Sequence, residues 1–299
     1  MTENFRSSQA SELFGGSWAK LPFSGGQYAE MTALLETALE TNPNMHCAIR
    51  SMDTYNFEED TQRLEENAQF YGSDLKNGSF FDYVAYLFDR DILYEKTLPM
   101  LLSALGGGQR GLMPFDQYSA WNFFYETGAK TVLENQQPFT QAEQCAMTDR
   151  EAAAIRENIQ KNIIDLAEKY PDTQFFCFFP PYSAAWWGKQ QSDGLLTRQL
   201  EEEQLVIELL LPYENIHLFS WNTTRELCCD LNNYKDTIHY ACWVNDWMLE
   251  QMAQGKGRLT YENYRRYLQD ERELYENFAY NSLFGQADPE GSPLPGFFQ

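Results

Sequence analysis

Histidine and basic residues are scarce in this chain. Its 299 residues include three histidines and 22 Lys and Arg residues, against 44 Asp and Glu residues, which gives a formal net charge of −22. Such an acidic surface repels phosphate backbones and anionic lipid headgroups. We therefore expect neither nucleic acid nor an anionic membrane surface as a partner. Solubility is a sufficient explanation of the charge.

Several sequence patterns that indicate cofactor or membrane binding are missing as well. The six cysteines never show C-x-x-C spacing, and with so few histidines they form no zinc-binding pattern. The glycine run 106–108 follows a predicted helix instead of a strand, and no G-K-[ST] comes after it, so it is not a phosphate-binding loop. No apolar run approaches the ~20 residues of a transmembrane helix. The sequence thus predicts no metal, no cofactor and no membrane span, and a nucleotide- or redox-binding protein is disfavoured.

What the chain does contain is an alternation of strand and helix patterns. This alternation predicts an α/β fold, with a parallel sheet covered by helices. The strands are expected near Ser17, Cys47, Phe176 and Leu218, over residues 17–23, 46–52, 174–179 and 215–221. The helices are expected at 27–40, from Thr148 to about 170, and at 194–211, 240–254 and 260–280. Continuous apolarity over 174–179 is typical of a central strand that is buried on both faces.

The domain organisation follows from the places where this alternation stops. Residues 1–282 are expected to form one domain, which is interrupted at about 55–147 by an insertion rich in aromatic and acidic residues. This insertion is predicted to contain several short helices, which could cover the crevice as a lid or add packing to the core. Residues 283–299 are rich in Pro and Gly and are expected to be a flexible tail.

The most informative short motif is D-x-x-H, formed by Asp236 and His239 just before a predicted helix. A carboxylate at this spacing can hold one imidazole nitrogen and leave the other free as a proton acceptor. On the motif alone, an aspartate that caps the helix beside a chance histidine is the more frequent explanation. His46 and His217 lie in strand patterns, where structural roles are expected.

Further candidate residues follow the predicted strands. Tyr182 and Ser183 come directly after the apolar strand 174–179, and Asp53 ends the strand 46–52. Open α/β sheets bind ligands at the carboxyl ends of their strands. We therefore predict that these three residues line a substrate-binding crevice.

Four stretches in the same order give the chain a family resemblance. They are MTENF at the start, FSGGQY at 23–28, FFPPYS at 178–183 and LNNYKDTIHY at 231–240. In these stretches the sequence resembles the SGNH/GDSL hydrolases, and more narrowly the bacterial envelope-associated members that handle acyl groups on surface glycans. The resemblance covers about residues 1–280.

The resemblance implies a flavodoxin-like three-layer α/β/α fold in which serine, histidine and aspartate act together on an acyl ester. By motif match, Asp236 is the orienting acid, His239 is the general base, and Gly25 supplies a backbone N–H to the oxyanion. The resemblance also implies a carbohydrate or acyl-ester substrate and an extracytoplasmic or cell-surface location. It implies nothing about the oligomeric state.

Two departures from the family pattern bear on activity. In the relatives, a strand, a glycine, small residues and the nucleophilic serine directly precede the residues that match MTENF, whereas this sequence begins at Met1. Three explanations are open: a start assigned at an internal methionine, a trimmed chain, or a protein that has lost its serine. Thr2 is two positions late to replace it. The family's oxyanion asparagine is matched by Asp53, which cannot donate a hydrogen bond as an amide does. Asp53 could instead bind substrate or cap the next helix.

Two functions remain in competition at this point. The first is an SGNH-type esterase or acyltransferase that acts on O-acyl groups of a carbohydrate or cell-envelope polymer, and it is nearly inactive without the serine. The second is a non-catalytic SGNH-like protein that binds a glycan or a partner protein. The absent serine and the aromatic-rich insertion favour the second.

Overall fold

The computed structural model describes residues 2–21, 26–54, 57–58, 94, 98–105, 116, 120–121 and 125–287. Gly25, the glycine run 106–108 and much of the insertion lie outside these residues. The lid and core-packing explanations of the insertion therefore both stay open.

The centre of the protein is a parallel sheet of three described strands in the order β1-β2-β3. These strands are β1 (Cys47–Ser51), β2 (Gln174–Phe178) and β3 (Ile216–Phe219). The pairing aligns Ile49 with Phe176 and Cys177 with Leu218. The predictions of an α/β fold and of strands near Cys47, Phe176 and Leu218 are confirmed.

Helices surround this sheet. The described α-helices are α1 (Ser7–Phe14), α2 (Tyr28–Thr41), α3 (Leu98–Leu105), α4 (Ala129–Leu133), α5 (Asp149–Ile159), α6 (Asp165–Lys169), α7 (Ala184–Ser192), α8 (Leu196–Leu210), α9 (Arg225–Cys228), α10 (Cys242–Ala253) and α11 (Tyr264–Glu276). A π-helical segment, Gln160–Ile164, joins α5 to α6, and 3-10 segments lie at Thr2–Asn4, Leu231–Asn233 and Tyr280–Ala287.

The apolar side chains of β2 divide between the two faces of the sheet because successive residues of a strand point in opposite directions. Phe175 and Cys177 join a hydrophobic cluster with α2, α5 and the C-terminal half of α8. Phe178 joins a second cluster with α1, α4, α7 and α10, and the partly buried Phe176 packs against it. The sheet is therefore covered on both faces.

The start of α5 is stabilised by hydrogen bonds between residues that are close in the sequence. The Thr148 hydroxyl accepts a hydrogen bond from the backbone N–H of Glu151, and the Glu151 carboxylate accepts one from the Thr148 N–H at 2.7 Å. This reciprocal pair is the predicted capping box, and it satisfies two N–H groups that a helix start leaves unpaired. The predicted buried stripe is also present, since Ile155 and Ile159 are both fully buried.

One sequence expectation needs correction. The predicted strand near Ser17 is not formed over residues 17–21, which have no regular secondary structure, and residues 22–23 lie outside the described part. The missing ladder partner explains this, because a strand must pair its backbone groups with a neighbour, and here a cleft separates the segment from β1. The 3-10 segment Tyr280–Ala287 spans the expected boundary at residue 282, with Leu283 fully buried, and residues 288–299 of the expected tail lie outside the described residues.

Candidate functional site

The loop that carries Asp236 and His239 is closed at its base and tied to the sheet. Tyr234 and Tyr240 form an antiparallel bridge, and both are buried. The Lys235 N–H donates to the His239 carbonyl at 2.8 Å. The Tyr234 hydroxyl donates to the carbonyl of Pro181 at 2.8 Å, which anchors the loop just beyond β2. The loop is therefore held from the carboxyl side of the sheet.

Within the loop, the carboxylate of Asp236 holds the imidazole of His239. The His239 Nδ1 lies 2.8 Å from Asp236 Oδ2 and 3.0 Å from Oδ1. Oδ1 also accepts the backbone N–H groups of Ile238, at 3.0 Å, and of His239, at 2.8 Å. Helix α10 starts only at Cys242, after Ala241. Asp236 is thus not the N-cap of that helix, and its carboxylate binds the histidine ring directly.

These hydrogen bonds decide the charge of Asp236. Burial alone would raise the pKa of its carboxyl group. The ring of His239 and the backbone N–H groups of His239 and Ile238 outweigh burial, so that the pKa of Asp236 lies below its ordinary value. An ionised Asp236 requires a hydrogen on Nδ1 of His239. The Nε2 atom, which has no hydrogen bond to any described residue, then carries the lone pair in a neutral ring.

Asp53 follows β1 and is nearly buried, at 7% exposure. Its Oδ2 accepts the hydroxyl of Ser51 at 2.7 Å, its Oδ1 accepts the hydroxyl of Tyr182 at 3.0 Å, and its carbonyl accepts the hydroxyl of Tyr28 at 3.2 Å. Tyr182 therefore joins the ends of β1 and β2 through Asp53. Its side chain is buried in this contact and does not line the cleft described below.

Ser183 has a positioning role in the loop. Its hydroxyl donates to the carbonyl of Thr237 at 2.7 Å, and its backbone N–H donates to the same oxygen at 3.2 Å. The same hydroxyl accepts the backbone N–H of Trp186 at 3.4 Å and so caps α7. Ser183 is fully buried and does not line the cleft, so its hydroxyl fixes the loop between Asp236 and His239.

A cavity of ≈ 730 Å³, here called the edge cleft, runs beside β1. Phe14 and Trp18 line it from the layer of α1, and Met31 and Leu35 line it from α2 on the other face of the sheet. The edge cleft therefore occupies the position of the sheet itself, between the two helical layers.

The side of β1 that faces the edge cleft has unpaired backbone groups. The ladder to β2 begins with the bond from Gln174 N–H to the His46 carbonyl and ends with that from Met52 N–H to the Phe178 carbonyl. Backbone groups alternate in direction along a parallel strand. Those of Cys47, Ile49 and Ser51 consequently point away from β2, and they have no hydrogen-bond partner among the described residues. All three residues line the edge cleft.

Several predicted and unpredicted site residues meet at the edge cleft. Asp53 and His239 both line it, together with Thr2 and Glu3. Glu3 interacts electrostatically with His239. Of the predicted set, the structure therefore brings Asp53, Asp236 and His239 to one region. It leaves Tyr182 and Ser183 in supporting contacts.

Sequence reasoning did not identify a group of aromatic and basic side chains beside the pair. The ring of Trp121 contacts the ring of His239 edge to face, with centroids 5.4 Å apart. Lys235 Nζ lies 3.5 Å from the centroid of the Tyr125 ring and 5.2 Å from that of Trp121. The position of Lys235 beside Asp236 was the only local signal, because Trp121 and Tyr125 come from a distant part of the chain.

Comparisons with known proteins add no assignment. No family model matches the chain, and no curated protein or solved structure gives a significant match. Within the described ranges, no group of three His, Cys, Asp or Glu residues is arranged to hold a metal ion. None of the described helices is both long and apolar enough to cross a membrane.

Proposed function

We propose that this chain is an SGNH-type esterase or acyltransferase that acts on O-acyl groups of a carbohydrate or cell-envelope polymer. The observation that carries the proposal is the Asp236–His239 pair, with His239 lining the edge cleft beside the parallel strand β1. The resemblance in the stretch LNNYKDTIHY supports it. The finer arrangement, a three-layer flavodoxin-like fold, belongs to the same proposal.

The pair has the geometry of a general base and its orienting acid. Asp236 fixes the hydrogen on Nδ1, and Nε2 of His239 accepts the proton of a serine hydroxyl as its oxygen attacks the acyl carbonyl carbon. The proton then passes to the alcohol oxygen of the polymer as the ester bond breaks. Water or a second hydroxyl attacks the acyl-serine in the reverse sequence, which gives hydrolysis or acyl transfer, respectively.

No residue that the structure describes supplies the nucleophile. Among the described residues, no serine hydroxyl forms a hydrogen bond with His239. A fourth parallel strand in the edge cleft would pair with the free groups of β1 and be covered by α1 and α2. If this strand continued into Thr2, it would end near Glu3 and His239, as in a β-strand followed by a helix. A serine at its carboxyl end would then lie close to Nε2.

Stabilisation of the oxyanion is the second open point. Gly25, which matches the family's backbone donor, lies outside the described residues. Asp53 stands where relatives have an asparagine, and both of its carboxylate oxygens accept hydroxyl groups from Ser51 and Tyr182. A carboxylate accepts hydrogen bonds only, and losing one oxyanion donor lowers the rate by about 100-fold or more. We therefore expect slower turnover than in an enzyme that has the asparagine.

A second candidate is a non-catalytic protein that binds a glycan. The observation that favours it is the group formed by Trp121, Tyr125 and Lys235 beside His239, where no described serine hydroxyl is bonded to the imidazole. Aromatic faces can bind the apolar faces of sugar rings, and Tyr125 is 51% exposed. Binding of O-acetylated oligosaccharides by calorimetry, lost in Trp121→Ala while turnover is absent in every form of the chain, would favour this function.

The test of the proposal compares two chains with a chromogenic acetyl ester. One is the 299-residue chain, and the other is extended upstream through whatever strand and serine the gene encodes in frame. We expect near-zero turnover from the first, turnover from the second, and loss of that turnover in His239→Ala. His217→Gln is the matched control because His217 lies in β3, away from the edge cleft, and bonds to Gln174. Equal, substantial turnover by the short chain, unaffected by His239→Ala, would mean that the site is elsewhere.

A further inference from the structure

Two buried carboxyl groups meet on one tyrosine hydroxyl, at a distance from the edge cleft. Glu203 of α8 and Glu271 of α11 are both fully buried. The Tyr267 hydroxyl lies 3.0 Å from Glu203 Oε1 and 2.9 Å from Glu271 Oε1. The same hydroxyl lies 2.6 Å from the Ser220 hydroxyl, just beyond β3. The cluster therefore joins two helices to the end of a strand.

A count of hydrogens shows that the cluster needs a proton from a carboxyl group. The Tyr267 oxygen makes three short contacts, to Ser220, Glu203 and Glu271. Each contact needs one hydrogen, and the two hydroxyl groups supply one each. Three contacts minus two hydroxyl hydrogens leaves one, and only Glu203 or Glu271 can carry it.

The remaining polar contacts agree with this count. The side-chain amide of Asn222 donates to Glu203, at 3.2 Å to Oε2. Glu271 Oε2 has no hydrogen-bond partner among the described residues. An unpartnered oxygen that is fully buried is far less costly in a neutral carboxyl group than in a charged one.

The charged and titratable groups around the cluster do not neutralise it. Neither Glu203 nor Glu271 has an ion-pair partner in the described part of the chain. Arg272, the neighbouring cation, pairs with Glu276 at 2.9 Å and acts on Glu271 only through its charge. The other titratable groups that face Glu271 are Tyr275 of α11 and Cys228 of α9, in addition to Tyr267.

We propose that Glu203 and Glu271 hold one shared proton at neutral pH, and that its loss at alkaline pH loosens α11 and the segment after β3. Without that proton, two adjacent carboxylates would face each other in a buried site where no described cation pairs with either of them. The Ser220 and Asn222 side chains belong to the segment that leads from β3 towards the loop of Asp236 and His239. Loss of this proton therefore changes the packing of the segment between β3 and the loop of Asp236 and His239.

The direction of the pH dependence follows from burial. Burial raises the pKa of Glu203 well above its ordinary value and raises that of Glu271 to about 7. A carboxyl group whose pKa is raised on folding contributes stability while it is protonated, and that stability is lost as the pH rises through the folded pKa. The protein should thus lose stability from about pH 5 upward and through pH 7, the opposite of an ion-paired carboxylate.

Infrared spectroscopy and urea unfolding of the whole chain test the proposal. We expect a protonated-carboxyl band at neutral pH in the difference between wild type and Glu203→Gln, and also between wild type and Glu271→Gln. Other protonated carboxyl groups, such as Glu202, whose pKa burial raises to about 8, cancel in this difference. An amide in place of either carboxyl group supplies the third hydrogen without a shared proton.

The urea measurement gives the size of the effect. Between about pH 5 and the folded pKa of the pair, the unfolding equilibrium constant of wild type should rise by up to about 10-fold per pH unit relative to either glutamine variant, and the difference should level off above that pKa. Glu273→Gln, an exposed position on the same helix, is the matched control and should follow wild type. The absence of the carboxyl band from both difference spectra, or parallel pH profiles for wild type and both variants, would overturn the proposal. If one variant does not fold, the other supplies both readouts.

Discussion

The contact between Asp53 and Tyr182 is expected to be one of the strongest single polar interactions near the candidate site. The Tyr182 hydroxyl donates to Asp53 Oδ1 at 3.0 Å, and the exposed fractions of the two residues are 1% and 7%. Tyr182→Phe removes the donor but keeps the ring. A hydrogen bond to a charged group contributes about 1.5–3 kcal/mol, and a buried site keeps water from replacing it. We expect Tyr182→Phe to lower the free energy of unfolding by that amount.

A double-mutant cycle separates this contact from other effects of the substitutions. Asp53→Ala also breaks the contact of Asp53 with Ser51 and should cost more than Tyr182→Phe. Once Asp53 is alanine, Tyr182→Phe has little left to remove, so we expect a coupling free energy of about 1–2 kcal/mol. The free energies come from urea unfolding monitored by circular dichroism at pH 7. Tyr261→Phe, at a ring that is 61% exposed, is the control and should change stability by less than about 0.5 kcal/mol.

The result that would refute this reasoning is additivity. If the double variant loses the sum of the two single losses to within about 0.5 kcal/mol, Asp53 and Tyr182 do not interact in solution. The ends of β1 and β2 would then be joined only by their ladder. The position of Asp53 in the edge cleft would need another explanation.

The remaining predictions concern backbone conformation and the charge of Asp236. Gly255 and Gly257 both have positive φ, +69° and +77°, but an added Cβ meets nothing at Gly255 and overlaps the indole of Trp221 at Gly257. In urea unfolding, Gly257→Ala should therefore lose about 1–3 kcal/mol more than Gly255→Ala, and equal losses would contradict the packing. Asp236→Asn should lose less than about 1 kcal/mol at pH 7 because its side chain is 41% exposed. Since the pKa of Asp236 is lowered on folding, wild type and Asp236→Asn should converge as the pH falls below about 4, and a constant difference would count against the bond to His239.

Local patterns in the sequence predicted the parts of the fold that local physics controls. The apolar run 174–179 became β2, which is buried between two layers, and the Thr148–Glu151 box starts α5 as expected. Helix α7 was not predicted, because the segment after the two prolines was interpreted as a ligand-binding strand end. The strand near Ser17 failed for a non-local reason, since its formation depends on a neighbour that only tertiary structure supplies.

The candidate site likewise combines features that local sequence determines with features that depend on distant parts of the chain. The spacing of Asp236 and His239 suffices to predict their hydrogen bond because three residues of one loop set it. The contact of Trp121 with His239 could not be predicted, because it joins segments more than a hundred residues apart. The role of Ser183 was also hidden, since a hydroxyl that supports a loop and one that binds substrate look alike in a sequence.

The contacts that hold the candidate base are independent of the edge cleft. Tyr234 binds the Pro181 carbonyl, and Ser183 binds the Thr237 carbonyl, so the loop of Asp236 and His239 is fixed from β2 and α7. The free groups that face the edge cleft belong to β1. A group that occupies the edge cleft therefore changes the contacts of His239, but it does not change the hydrogen bond between His239 Nδ1 and Asp236. This arrangement predicts that the Asp236–His239 pair stays intact even in a chain without turnover. The geometry at Asp236 alone therefore does not distinguish an enzyme from a glycan-binding protein.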